Sequence, residues 1–166
     1  IPINKDIDIW KNFGTEYFFE RREAGIFNLG GDGFIEADGT RYDMTFEDCL
    51  YITKGTKEVF FGSKNPEKPA KFYLVSSPAH KACKNTFISF AEAKKREVGS
   101  AETSNKRIIN QFIHQDVLET CQLCMGLTQL APGSVWNGGD VTEPRITVAA
   151  TVSTTSDLKW GTAGMK

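Results

Sequence analysis

A chain of 166 residues with 40% hydrophobic and 25% charged residues suffices for one self-contained core and gives no reason to expect several. A net charge of −1 supplies no basic field, which argues against nucleic acid as the main partner. No apolar run approaches the ~20 residues of a membrane helix, so a membrane is not expected as a partner.

Ile1-Pro2-Ile3-Asn4-Lys5 lacks the zones of a secretion signal and an initiator Met, and reads as a processed or trimmed piece. In EYFFERRE (residues 16–23), Tyr17, Phe18 and Phe19 precede a block of charge, the pattern of a strand leaving the core for a polar rim. Alternation continues, with Ile26 and Asn28 on one side and Phe27 and Leu29 on the other. Gly30-Gly31-Asp32-Gly33 then forms a turn. Asp38-Gly39 between Phe34-Ile35-Glu36-Ala37 and Arg41-Tyr42-Asp43-Met44 predicts a tight hairpin, because its two central residues must accept positive φ. Leu50-Tyr51-Ile52 and Glu58-Val59-Phe60-Phe61 flank a further turn, and residues 70–75 (AKFYLV) form another strand. Strands recurring every ~8–12 residues with Gly or Pro between them indicate an all-β sandwich or barrel.

Residues 78–102 are polar and Lys-rich and read as a long surface connection. A short helix is expected within residues 89–97, where Ser89 and Glu92 have capping-box spacing. Lys94-Lys95-Arg96 reads as a solvated face rather than a phosphate site. RIINQFIH (residues 107–114) resumes strand character. DVLETCQLCMGLTQLAPGSVWN (residues 116–137) follows, an apolar strand, a Pro132-Gly133 turn and a second short strand. Arg145 onward, RITVAATVSTTSDL, is suited to one or two more strands.

The four cysteines, Cys49, Cys83, Cys121 and Cys124, are too sparse for a disulfide framework and fit a reduced, cytoplasmic setting. Cys121 and Cys124 form a C-x-x-C. No second C-x-x-C accompanies it and no helix start follows, so two unlinked, buried, inert thiols are expected over a zinc or redox pair. The chain has two histidines. His80 follows a Pro-Ala turn and His114 ends a strand; a zinc site built from both with Glu119 or Cys121 is the competing possibility.

Residues 17–31 (YFFERREAGIFNLGG), 69–73, Pro78-Ala79-His80, 103–109 (TSNKRII) and 116–137 together resemble the 5-keto-4-deoxyuronate isomerase family. The resemblance implies a cupin-like, jelly-roll type β-barrel or sandwich, one of two halves of a tandem cupin that assembles into oligomers. It covers residues 1–137 and leaves 138–166 as a divergent tail. It also implies aldose–ketose isomerisation of a 4-deoxy-5-keto-hexuronate in pectin and uronate breakdown, with zinc held by a His-x-His, a following Glu and a later His. Those ligands have no counterpart here, because Asn137 is followed by Gly138-Gly139-Asp140-Val141-Thr142-Glu143-Pro144. No metal or catalytic residue carries over. The chain is expected to bind no zinc and to be inactive alone, with a partner chain or homo-oligomer completing the site. The alternative is a non-catalytic cupin module for sugar binding or assembly.

Arg22, His80 and Arg107 are the candidate contacts for the substrate carboxylate, since a guanidinium grips a carboxylate bidentately. An ion pair at the rim competes for Arg22, and a structural partner for Arg107. Lys54 and Lys57 read as solvated turn residues.

Overall fold

The computed structural model describes residues 1–132 and 145–152. Among the described residues one short helix, α1 (Ile9–Phe13), precedes eleven strands. These are β1 (Arg22–Asn28), β2 (Gly33–Ala37), β3 (Thr40–Met44), β4 (Cys49–Ile52), β5 (Val59–Ser63), β6 (Phe72–Pro78), β7 (Thr86–Ile88), β8 (Lys94–Val98), β9 (Arg107–Ile113), β10 (Leu123–Leu130) and β11 (Arg145–Val152). They form three antiparallel sheets ordered β6-β1-β4-β7, β11-β10-β9-β8 and β3-β2-β5. The expected all-β, cupin-like class is what folds, as stacked sheets rather than a closed barrel.

The β6-β1-β4-β7 sheet is central because its inner strands are apolar on both faces. Ala24 and Ile26 of β1, with Leu50 and Ile52 of β4, pack with Ile35, Ala37, Met44 and Val59 of the β3-β2-β5 sheet. Phe27, Cys49 and Tyr51 point the other way, against Phe112, Ile113, Leu123, Met125 and Leu127. The period-2 alternation thus feeds two cores from one pair of strands. Gly25 shares a face with Phe27, and a Cβ there would run into the ends of Met125 and Ile113. Its missing side chain lets the two sheets approach.

The Asp38-Gly39 hairpin forms as its sequence requires, with φ of 46° and 77° and Ala37 opposite Thr40. Asp38 further accepts the Lys57 and Glu58 N–H groups at 2.9 and 2.8 Å, tying the turn to the start of β5. The turn between β4 and β5 does not make a hairpin. Those strands go to different sheets, so it is a crossing between layers.

Three local expectations change. No helix occupies residues 89–97. Glu92 does accept the Ser89 N–H and Oγ–H at 3.1 and 2.7 Å, but the chain then enters β8, whose ladder with β9 outweighs helix propensity over so few residues. The lysine-rich cluster is the exposed face of this strand, which ends its sheet among the described residues, a common guard against edge-to-edge association. The short helix lies instead at α1, where Asp8 caps the Lys11 N–H at 2.9 Å and Gly14 closes the end at φ 63°. Finally, residues 17–20 turn rather than extend. Phe18 and Phe19 are buried and stacked edge-on at 4.9 Å, and extended chain begins only at Arg22.

β11 pairs with β10 over eight residues, from Leu123↔Val152 to Leu130↔Arg145. The turn at Gly133, the strand expected at 134–137, the Gly138–Pro144 sequence and residues 153–166 lie outside the described residues. No helix among the described residues is long and apolar enough to cross a membrane.

Candidate functional site

A side chain that accepts five hydrogen bonds is one the charge pattern assigned to the rim. Glu23 shares parity with Gly25 and Phe27, so β1 turns its carboxylate inward, and it is wholly buried. One oxygen, Oε2, accepts Tyr51 O–H at 2.5 Å and Cys121 N–H at 2.9 Å. The other accepts Gln122 N–H at 2.8 Å, Leu123 N–H at 2.9 Å and Ser77 O–H at 3.4 Å. Three successive backbone N–H groups facing one anion form a nest, filled here by the chain's own carboxylate. The arrangement joins β1, β4 and β6 of the central sheet to the entry of β10.

Ionisable neighbours respond to this buried charge. Burial first, then the adjacent Glu23 carboxylate, pushes the Tyr51 phenol far up, so it stays a donor. Burial and then Glu23 also raise the Cys124 thiol. Burial raises Cys83, opposed by the neighbouring Tyr51 hydroxyl and by the charge of Lys81.

Outside the Glu23 nest, residues 78–80 are fastened to 121–122. Ala79 N–H donates to the Arg21 carbonyl at 2.8 Å, and the Gln122 side-chain amide donates to the Pro78 carbonyl. This clip brings His80 Nδ1 to 3.1 Å from Cys121 Sγ, while the His80 N–H reaches the same sulfur at 3.3 Å. Beside them Lys81 pairs with Glu119 at 2.8 Å in the open. All four cysteines are free. Cys121 and Cys124 are unlinked, as expected, but both are partly exposed rather than buried, because they lie at the entry of β10 and not in its middle.

Of the three candidate carboxylate contacts, two share one end of the molecule. Arg22 opens β1 opposite Pro78, two residues before His80. Its guanidinium is already engaged: Nε donates to Ser76 Oγ at 3.0 Å, Nη2 to the Ser76 carbonyl at 3.1 Å, and the Phe13 ring lies 5.3 Å away. Arg107 is elsewhere. It pairs with Leu130 at the far end of β10, seven residues or about 23 Å of strand from Leu123, and donates to the Asn105 carbonyl at 3.3 Å.

The zinc site imagined from both histidines does not assemble. His114 is buried after β9, and its Nδ1 accepts the Asp116 N–H at 3.1 Å, whereas His80 faces Cys121. Among the described residues no group of three or more His, Cys, Asp or Glu side chains is placed to hold a metal. The described residues thus present no ligand set of the kind that the family resemblance implies.

Burial holds the His114 imidazole below its ordinary value of 6.5; Asp116 opposes this, and Lys94 and Arg96 reinforce it. The folded state thus disfavours the protonated ring, and the unfolded chain binds the extra proton first. Stability from this group is complete above about pH 6.5 and declines as pH falls toward the depressed folded value. Thermal melts should therefore lose midpoint on acidification below about pH 6.5, and His114→Gln should flatten that slope. An unchanged slope in the variant would assign the acid sensitivity elsewhere.

Comparison with known proteins settles the ancestry. The KduI/IolB family matches residues 11–138. The chain belongs to this family. It is 48% identical over 141 residues to a 4-deoxy-L-threo-5-hexosulose-uronate ketol-isomerase of Yersinia enterocolitica, covering 82% of this chain and 51% of that protein. A protein of the same name from Yersinia pestis is 50% identical with the same coverage. The chain thus spans about half the length of the curated relatives it matches. Among solved structures, an IolB-like protein from Salmonella typhimurium superposes with a TM-score of 0.59 at 16% identity, covering 70% of this chain and 45% of that one. That likeness concerns fold alone.

The sequence reading missed Glu23 and its nest. The available signal was parity: in EAGIF the Glu occupies the same face as Phe27, a buried aromatic.

Proposed function

We propose that this chain forms one half of a ketol-isomerase that interconverts the aldose and ketose forms of a 4-deoxy-5-keto-hexuronate, and that turnover requires a second cupin half bearing the metal ligands. The observation that carries this is identity near one half along 141 residues to proteins named for that isomerisation, over only 51% of their length. Zinc, in this reading, is held by residues the second half provides. Within the described chain, Arg22 and His80 lie at one end and serve as contacts for the uronate carboxylate. The setting is cytoplasmic uronate and pectin breakdown, and the assembly is an oligomer or a complex with a partner chain.

A second reading is a non-catalytic cupin module for sugar binding or assembly. It is favoured by the lack, among the described residues, of any three-ligand cluster. Size-exclusion chromatography of the chain mixed with a separately produced second half carrying a His-x-His motif tests the two-half reading. A single co-eluting complex is expected. Independent elution overturns the two-half reading.

A further inference from the structure

We propose that Cys121 and His80 form a thiol–imidazole pair that makes Cys121 this chain's site of covalent modification by soft electrophiles and peroxides. The four cysteines differ in ways that single it out. Cys49 is fully buried, and burial pushes its thiol far up. Cys83 and Cys124 are raised by burial as well. Cys121 is partly exposed, as Cys83 and Cys124 also are, but it is the cysteine whose sulfur has an imidazole nitrogen at 3.1 Å and a backbone N–H at 3.3 Å.

A sulfur with an imidazole nitrogen at 3.1 Å and a backbone N–H at 3.3 Å has a proton acceptor and a stabilising donor already in place for reaction at sulfur. The pair is also fixed in place. Cys121 N–H is anchored on buried Glu23, and the segment before His80 is anchored on the Arg21 carbonyl. Orientation is thus set before any reagent arrives. Lys81 and Glu119, paired with each other, and the Glu23 carboxylate are the charges around it.

The chemistry balances without further groups. With a haloacetamide the sulfur forms a bond to carbon, the carbon–halogen bond breaks, halide leaves, and the thiol proton passes to His80 Nδ1. With a peroxide the sulfur bonds to one oxygen and the O–O bond breaks. The departing hydroxide takes the proton from His80 as water, leaving a sulfenic acid; sulfur is oxidised by two electrons and the peroxide reduced by two.

The test is limiting iodoacetamide on the intact chain at neutral pH, with the rate at each cysteine read by peptide mass spectrometry. Cys121 is expected to label roughly tenfold faster than Cys83 or Cys124. His80→Gln should bring Cys121 down to the rate of Cys83 while leaving the thermal transition in place, since His80 is a surface side chain. Peroxide followed by dimedone should tag Cys121 in the parent and not in His80→Gln. Equal labelling of the cysteines in the parent, or an undiminished Cys121 rate in His80→Gln, overturns the proposal.

Discussion

Glu23→Ala should lower the thermal midpoint of this chain by roughly 6–12 °C, corresponding to at least about 3 kcal/mol. The loss follows from what the carboxylate leaves behind. The N–H groups of Cys121, Gln122 and Leu123 are fixed by the backbone and cannot turn elsewhere, and each buried donor left unpaired costs about 1–3 kcal/mol. Glu23→Gln should fall between parent and alanine. Its amide NH2 is best placed toward Tyr51, whose hydroxyl can rotate to accept, but Cys121 N–H then faces a donor. Tyr51→Phe removes one charge-assisted bond and should cost less, about 1.5–3 kcal/mol. Urea or thermal melts of the three variants give the order. An alanine variant as stable as the parent would show that the nest does not tie the sheets together.

Asn28→Ala should cost about 2–4 kcal/mol although it removes a small side chain. Asn28 is wholly buried at the end of β1. Its NH2 donates to the Gly31 and Met44 carbonyls at 2.8 and 3.2 Å, and its carbonyl accepts from Gly30 and Lys71 N–H at 3.1 and 3.2 Å. Backbone from the glycine turn, the end of β3 and the approach to β6 therefore meets on one amide. The turn has no slack to compensate: a Cβ on Gly31 would strike the Lys68 carbonyl. Asn28→Asp tests the geometry separately. A carboxylate accepts Gly30 and Lys71 as before but sets an oxygen against two carbonyls, so it should be no better than alanine. Melts of both variants check this, and Asn28→Asp with parental stability would contradict it.

What could be read from the sequence was what depends on neighbours in the chain. Asp38-Gly39 announces its turn because two adjacent residues must accept positive φ. The opposed faces of Ile26 and Phe27 follow from the pleat, and each side chain enters a different core. Glu23 was illegible for the opposite reason. Preceded by Arg21 and Arg22 it looks like rim, and its backbone donors lie 98 to 100 positions away. The same holds for residues 94–98, where local capping signals favour a helix and a ladder to 107–111 makes a strand. α1 was hidden by its length of five residues, too short for any periodicity to show. The candidate site was legible only in part: Arg22 and His80 come to the same end, whereas Arg107 is carried away by the register of β9 against β10.

Turnover of the 4-deoxy-5-keto-uronate, followed chromatographically with the chain alone and with an equimolar His-x-His-bearing half, tests the functional account most directly. No conversion is expected from the chain alone, and conversion from the mixture. Turnover by the isolated chain, or an inert mixture that nonetheless co-elutes as one complex, would contradict it.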